Sequence, residues 1–174
     1  MKTAHTLIHV ALPVEAKALR KYLQMKPLGR NLYTKDKILL AISGMGDELT
    51  FKTLKPLFEQ FLITKALNFG MAGCQDKNIP IGTLCCSTHK LEDVFHATIS
   101  SVTKPLKNLE TLETTLVDME SKAFKSCCDL FIDKEKIYIF KVVSDYGTDK
   151  IPTKEFVGAI LTPHIKKVLF YVFN

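Results

Sequence analysis

The sequence predicts a single-domain α/β fold, with a mixed sheet flanked by helices on both faces in three layers. Short apolar runs rich in β-branched and aromatic residues alternate along the chain with segments of helical period. Several of these runs end in small residues or carboxylates, where α/β proteins place their ligands. With 174 residues, 47% of them hydrophobic, the chain is long enough for one domain over residues 1–174 to bury a core.

The first part of the chain predicts a strand, a helix and a pair of strands, at residues 6–12, 13–25, 31–34 and 37–42. Pro13 suits a first helical turn, because its missing N–H is not needed there. Pro27 and Gly29 are expected to end this helix.

The next segment predicts two turns, each rich in small residues, around a helix and a strand. The turns lie at residues 43–46 and 70–74, and the strand at 66–69. Asp47 is expected to cap the helix, and Pro56 to kink or split it.

The last part predicts further strands and helices that complete the alternation. Strands are expected at residues 81–87, 97–102, 116–118 and 136–143. A weak helix is predicted at residues 106–113, a stronger one after Asp118, and a final one from Pro152 with an interruption at Pro163.

The positive charge does not indicate a nucleic-acid partner. The net charge is +6 and the pI about 9.0, but the lysines are spread along the whole chain. They form no stripe with interleaved aromatic residues, as a nucleic-acid surface does. A solvated basic surface is the better interpretation.

The five cysteines favour a reduced, cytoplasmic protein. Cys85 and Cys86 are adjacent, as are Cys127 and Cys128. Adjacent residues on a strand point to opposite faces, so these pairs suit neither a disulfide nor a metal site. We expect core thiols, no metal, no signal peptide and no apolar run long enough to span a membrane.

Carboxylates and small residues recur where predicted strands end. Five stretches have this character, at residues 11–15, 43–46, 70–73, 117–120 and 143–145. Taken singly, Glu15 and Glu120 are acids that favour a first helical turn, and Asp145 suits an Asx turn. Asp118 is expected to cap the helix that follows it. The five together favour a ligand site.

The order of these motifs resembles the nucleoside phosphorylase superfamily. The match is closest to the methylthioadenosine/S-adenosylhomocysteine nucleosidases and the futalosine-hydrolase-like members, in a shortened form. It runs from about residue 6 to 160 through six motifs, namely Ala11 to Glu15, Ser-Gly-Met-Gly at 43–46, Gly-Met-Ala-Gly at 70–73, Ile-Pro-Ile-Gly-Thr-Leu at 79–84, Asp-Met-Glu at 118–120 and Ser-Asp at 144–145.

The resemblance implies an enzyme that cleaves the N-glycosidic bond of a purine nucleoside or thionucleoside. Asp145 looks like the general acid that protonates the departing base, and Glu15 like the carboxylate that activates water. Glu120 looks like the residue that binds the ribose hydroxyls and steadies the positive sugar of the transition state. The expected substrate-binding residues are Ser43, Gly44, Met71, Ala72, Gly73, Met119 and Ser144.

The departures from the family pattern favour water over phosphate as the nucleophile. Met71 stands where the family carries a serine, which in phosphorylases helps to bind phosphate with arginines. The only arginines here are Arg20 and Arg30, outside any matching motif, and Lys141 replaces the arginine expected before Ser144-Asp145.

Two alternatives stay open at this point, a phosphate-dependent phosphorylase and a catalytically silent nucleoside-binding protein. The segment at residues 87–115 is short and lacks the family's purine-stacking motif, for which Phe95 and Tyr146 are candidate replacements. The resemblance implies a homodimer, with a nucleoside as the small-molecule partner. We expect no cofactor, no nucleic acid and no membrane as partners.

Overall fold

A computed structural model describes residues 3–174, in which a ten-stranded sheet is flanked by five helices. The strands are β1 Ala4–Val10, β2 Lys26–Gly29, β3 Leu32–Lys35, β4 Ile38–Ile42, β5 Leu62–Cys74, β6 Leu84–Cys86, β7 Phe95–His96, β8 Ile99–Ser101, β9 Leu116–Asp118 and β10 Ile137–Asp145. The helices are α1 Pro13–Leu23, α2 Asp47–Gln60, α3 Ser121–Cys128, α4 Lys154–Leu161 and α5 Ile165–Phe173.

Four parallel strands form the centre of the sheet, in the order β4-β1-β5-β10. β2 and β3 extend one side as an antiparallel pair, and β6 and β7 extend the other. β9 runs antiparallel to the end of β5, with β8 beside it. The carboxyl ends of the parallel strands therefore meet at one edge of the sheet, where an α/β fold forms its cleft.

The helices divide between the two faces of the sheet, which confirms the predicted three layers. One core contains α1, α4 and α5 side chains packed on Ile8, Leu40 and Phe140. A second core contains α2 and α3 side chains packed on Leu7 and Leu39. Leu39 and Leu40 are neighbours on β4 and point to opposite faces, as the period of a strand requires.

The second predicted turn is wrong, because residues 70–73 lie inside β5. This strand continues to Cys74 through Gly70, Met71, Ala72 and Gly73. Pairing with β10 on one side and with β9 near its end keeps the segment extended. The small residues therefore belong to a strand and not to a loop.

Two further predictions about helices are wrong, and one strand was not predicted. α2 is not split at Pro56, which is exposed, and its N-cap is Gly46 rather than Asp47. No helix forms at residues 106–113, which run as turns and irregular backbone. Lys26–Gly29, expected only to end a helix, forms the edge strand β2. The interruption at Pro163 is confirmed as a 3₁₀ turn between α4 and α5.

The cysteines behave as core residues. All five are free and buried, with Cys85 and Cys86 in different hydrophobic clusters. Burial raises the pKa of the Cys85 thiol to about 12 and that of Cys127 to about 11. Both thiols therefore stay protonated near neutral pH, as inert structural cysteines do.

The expectation that no apolar run is long enough to span a membrane is wrong for the C-terminal helical stretch. Lys154–Phe173 is long and apolar enough to cross a membrane, by length and composition alone. Its inward side chains pack in the main core, at Val157, Leu161, Ile165, Val168, Leu169 and Val172. These six side chains form the buried face of the stretch, while Phe170 and Phe173 are exposed.

Candidate active site

Glu15 lies in the first turn of α1, where backbone amides hold its carboxylate from two directions. Oε2 accepts hydrogen bonds from the N–H of Ala11 at 3.1 Å and of Leu12 at 2.9 Å, which closes the start of the helix. Oε1 accepts from the N–H of Met71 on β5 at 3.3 Å. The residue is 5% exposed, so its carboxylate is fixed and shielded from bulk water.

Gly70 provides the space that this carboxylate occupies. A Cβ on residue 70 would lie 2.6 Å from Oε1 of Glu15, closer than any side chain tolerates. Burial raises the pKa of Glu15 above its ordinary 4.5, while the charge of Lys141 and the three amide bonds act in the opposite direction without cancelling it. A carboxylate with a raised pKa accepts a proton more readily, as a general base must.

Glu120 lies between β9 and α3, and its side chain reaches the turn between β4 and α2. Its Oε1 accepts a hydrogen bond from the N–H of Gly46 at 2.9 Å, just before α2. Burial raises the pKa of Glu120, Lys141 lowers it, and the charges of Asp118 and Glu15 raise it further. Glu120 therefore holds a proton to a higher pH than a solvent-exposed glutamate does.

Asp118 and Lys141 form a buried ion pair beside these carboxylates. Lys141 Nζ lies 2.8 Å from Oδ2 of Asp118, and both side chains are almost fully buried. Asp118 also accepts hydrogen bonds from the Ser121 N–H at 3.0 Å and from the Ser101 hydroxyl at 2.8 Å. Burial raises the pKa of Asp118, but Lys141 and these bonds outweigh it, so the pKa lies below its ordinary value.

A buried histidine, which we did not predict as a site residue, fixes the hydroxyl of Ser43. His9 lies between Asn68 and Ser43, with its Nδ1 and Nε2 each 2.8 Å from their partner atoms. Burial lowers the pKa of His9 to about 3, so the ring is neutral. Asn68 then donates to Nδ1, the Nε2–H donates to Ser43, and Ser43 donates to the Gly44 carbonyl at 2.6 Å.

Asp145 ends β10 and is oriented by its neighbours. Its Oδ2 accepts from the Ser144 hydroxyl at 2.7 Å, and its Oδ1 accepts from the Gly147 N–H at 2.8 Å. The Ser144 hydroxyl also lies 3.2 Å from the Ala72 carbonyl oxygen. Asp145 lies beside Gly73 of β5, and Glu15 bonds to Met71 of the same strand. The two carboxylates therefore lie at the same end of β5.

The sequence-predicted residues thus gather around the carboxyl end of the parallel strands. Ser43 and Gly44 follow β4, and the half-buried Met119 lies between Asp118 and Glu120. Of the two candidates for a purine platform, Phe95 lies on the edge strand β7, and the Tyr146 hydroxyl donates to the Ile79 carbonyl at 2.9 Å.

Sequence reasoning missed His9 and Asn68, and it did not predict that Lys141 pairs with Asp118. His9 and Lys141 are polar residues inside apolar strands, which was the available signal. Their partners come from other strands and helices, so only the sheet order identifies them. Within residues 3–174, no group of three or more histidine, cysteine or acidic side chains is arranged to hold a metal ion.

Comparison with known proteins gives matches in structure and none in sequence. No family model and no curated protein sequence matches the chain. A 5′-methylthioadenosine/S-adenosylhomocysteine nucleosidase from Helicobacter pylori, with butyl-thio-DADMe-Immucillin-A, matches with a TM-score of 0.80 at 16% identity, over 97% of this chain and 99% of that one. The chain has the nucleoside phosphorylase fold.

Two further structures with this fold match nearly the whole chain. The 5′-methylthioadenosine/S-adenosyl homocysteine nucleosidase of Campylobacter jejuni has a TM-score of 0.77 at 18% identity, over 97% of both chains. A futalosine hydrolase mutant of H. pylori has a TM-score of 0.76 at 15% identity, over 98% of this chain and 97% of that one. The nucleoside phosphorylase fold inferred from six short motifs is therefore confirmed.

Proposed function

We propose that this chain is a nucleosidase, which uses water to cleave the N-glycosidic bond of a purine nucleoside or thionucleoside. The observation that carries the proposal is the presence of two buried carboxylates, Glu15 and Glu120, each held by backbone amides near the carboxyl ends of the parallel strands. Asp145 joins them at the end of β10. Similar structures support the substrate class, since an H. pylori nucleosidase holds 5′-methylthioadenosine in its active site.

In this proposal Glu15 takes a proton from the attacking water. Its two amide bonds at Oε2 fix the carboxylate, while Oε1 has one long bond and a free lone pair for water. Burial raises its pKa and so improves it as a base near neutral pH. Glu120, held through Gly46, binds the ribose hydroxyls, and its negative charge stabilises the positive sugar as the bond breaks.

Asp145 supplies the proton that the departing base needs. The Ser144 hydroxyl has two acceptors within reach, the Ala72 carbonyl and Asp145 itself. When Asp145 is protonated, Ser144 turns its hydrogen to Ala72 and leaves Asp145 free to donate. An acid and a base on opposite sides of the sugar reproduce the arrangement of an inverting glycosidase.

The charges around the site favour water over phosphate. Lys141 is already paired with Asp118 at 2.8 Å, so its charge is largely neutralised. Arg20 stacks on Tyr33, with its guanidinium carbon 3.8 Å from the ring centre. Met71 offers its backbone N–H to Glu15 and has no hydroxyl for a phosphate oxygen.

A second candidate is a nucleoside-binding protein that has lost turnover. The observation in its favour is that three backbone N–H groups already bond to Glu15, which lowers the basicity of the carboxylate. Stabilisation of the fold by adenine or a nucleoside, without release of the base, would favour this candidate.

The test is an assay for free base with a panel of adenosine, inosine, 5′-methylthioadenosine and S-adenosylhomocysteine, each with and without phosphate. We expect release of base from at least one substrate, independent of phosphate, and a loss of about 100-fold or more in Asp145→Asn. Release that requires phosphate would establish the phosphorylase. Binding without release would establish the silent protein, and neither binding nor release would overturn all three proposals.

A further inference from the structure

A large cleft adjoins the candidate active site, since Ser101 and Ser121 on its wall bond to Asp118. Its volume is about 1010 Å³, and it opens between α3, the 3₁₀ turn at Lys134–Lys136, and the strands β8 and β10. Neither Glu15, Glu120 nor Asp145 lines it. The proposed function therefore assigns no role to this cleft, although its volume is that of a ligand site.

The walls of the cleft are rich in hydroxyl groups. Eight of its sixteen lining residues are serine or threonine. Six of these eight hydroxyls already have a hydrogen-bond partner within the protein, such as Ser100 with Thr114 at 2.7 Å.

The rim of the cleft is positively charged. Three lysines line it against a single acid, Glu135. Lys122 has no ion-pair partner in the described part of the chain, and Lys134 lies 3.9 Å from Glu135 in a highly exposed pair. Lys125 pairs with Asp129 at 2.6 Å. Exposed pairs of this kind contribute little, so their ammonium groups are available to an anion of higher charge.

We propose that this cleft is a second binding site, for a sugar phosphate. Hydroxyl side chains both donate and accept hydrogen bonds, which suits the hydroxyls of a sugar. Lysine ammonium groups on the rim suit a phosphate, whose charge is greater than that of a carboxylate. The proposal stands independently of the reaction proposed for Glu15, Glu120 and Asp145.

The test is isothermal titration with ribose 5-phosphate, which carries no base. We expect saturable binding to the wild-type chain, weakened at least about tenfold by Lys122→Glu combined with Lys134→Glu. The matched control is Lys17→Glu with Lys37→Glu, which makes the same change of charge at two exposed lysines outside the cleft. The control should bind within about twofold of wild type. Thermal unfolding of both variants checks that each is folded.

A variant of the candidate active site separates the two sites. Glu120→Gln should bind ribose 5-phosphate as wild type does, because Glu120 does not line the cleft. Three results would overturn the proposal: no saturable binding, equal weakening in the cleft and control variants, or loss of binding in Glu120→Gln. The last would place the ligand at the carboxylates.

Discussion

A single buried ammonium group, that of Lys141, acts on the pKa of Glu15, Glu120 and Asp118. Burial alone would lower its own pKa, but the surrounding carboxylates outweigh burial and raise it. Lys141 therefore stays charged and limits how far burial raises the pKa of the neighbouring carboxylates. The pattern of small residues and acids indicated where the carboxylates lie, but nothing in the sequence indicated which acid Lys141 would pair with.

Replacing Lys141 alone should lower the free energy of unfolding far more than replacing Lys141 and Asp118 together. Lys141→Met leaves Asp118 buried without its counter-ion and should cost about 3–5 kcal/mol in the free energy of unfolding. Adding Asp118→Asn removes the unpaired charge and should recover part of that loss. Urea unfolding of the single and double variants measures both. A single variant as stable as wild type would show that the pair contributes nothing.

Glu120→Gln should slow the release of base without lowering the stability of the fold. The folded-state pKa of Glu120 lies above its ordinary 4.5, so the folded state holds the proton more tightly than the unfolded state. That contribution to stability is present below pH 4.5 and is lost as pH rises through the raised pKa. Glutamine keeps an acceptor for the Gly46 N–H without the charge.

The variant should therefore be at least as stable as wild type at pH 7, with a flatter dependence of stability on pH. Unfolding free energies measured at several pH values from 4 to 8 check this expectation. The rate of base release should fall by about 100-fold or more, because the charge that stabilises the transition state is removed. A variant that is destabilised only at neutral pH would contradict the assignment.

Among the elements, β5 is the one on which the site depends most closely, because it passes directly against the Glu15 carboxylate. Gly70→Ala would place a Cβ 2.6 Å from Oε1 and displace that carboxylate. A shift of about 1 Å in a catalytic group costs on the order of 100-fold in rate, which is the expected loss of base release. Gly29→Ala is the matched control, since a Cβ there meets nothing within 4 Å. Equal activity of the two variants would show that Glu15 need not be held in place.

The helix α2 contains a proline that its fold does not require. Pro56 is exposed in the interior of α2, where proline costs about 3 kcal/mol relative to alanine. Pro56→Ala should therefore raise the free energy of unfolding by about 1–3 kcal/mol in a denaturant titration. Pro13→Ala is the control and should change it little, because Pro13 starts α1. A loss of stability in Pro56→Ala would mean that the proline fits a local bend.

The errors made for individual elements have a common physical origin. β9 was predicted at residues 116–118 and lies there, because its apolar run is short and well bounded. Residues 70–73 read as a turn because glycine and alanine carry little periodic signal. Tertiary pairing with β10 and β9 overrides that local preference. The helix at residues 106–113 was only weakly predicted, and the segment runs as turns and irregular backbone.

At the scale of the molecule, the alternation of strands and helices was sufficient to predict three layers and the edge of the sheet at which the site lies. Parallel strands bring their carboxyl ends together, so acids far apart in sequence were expected to meet. The His9 network and the cleft beside α3 depend on contacts between several elements, which no local pattern encodes. The homodimer and the cytoplasmic location stay predictions.

The measurement that tests the central claim most directly is the release of base and free sugar from the nucleoside panel by the wild-type chain and by Glu15→Gln. If Glu15 activates water, the wild-type chain should release the free sugar, and Glu15→Gln should release it at least about 100-fold more slowly. The same product should form when phosphate is present. A sugar 1-phosphate, or no released base from any substrate in the panel, would contradict the account.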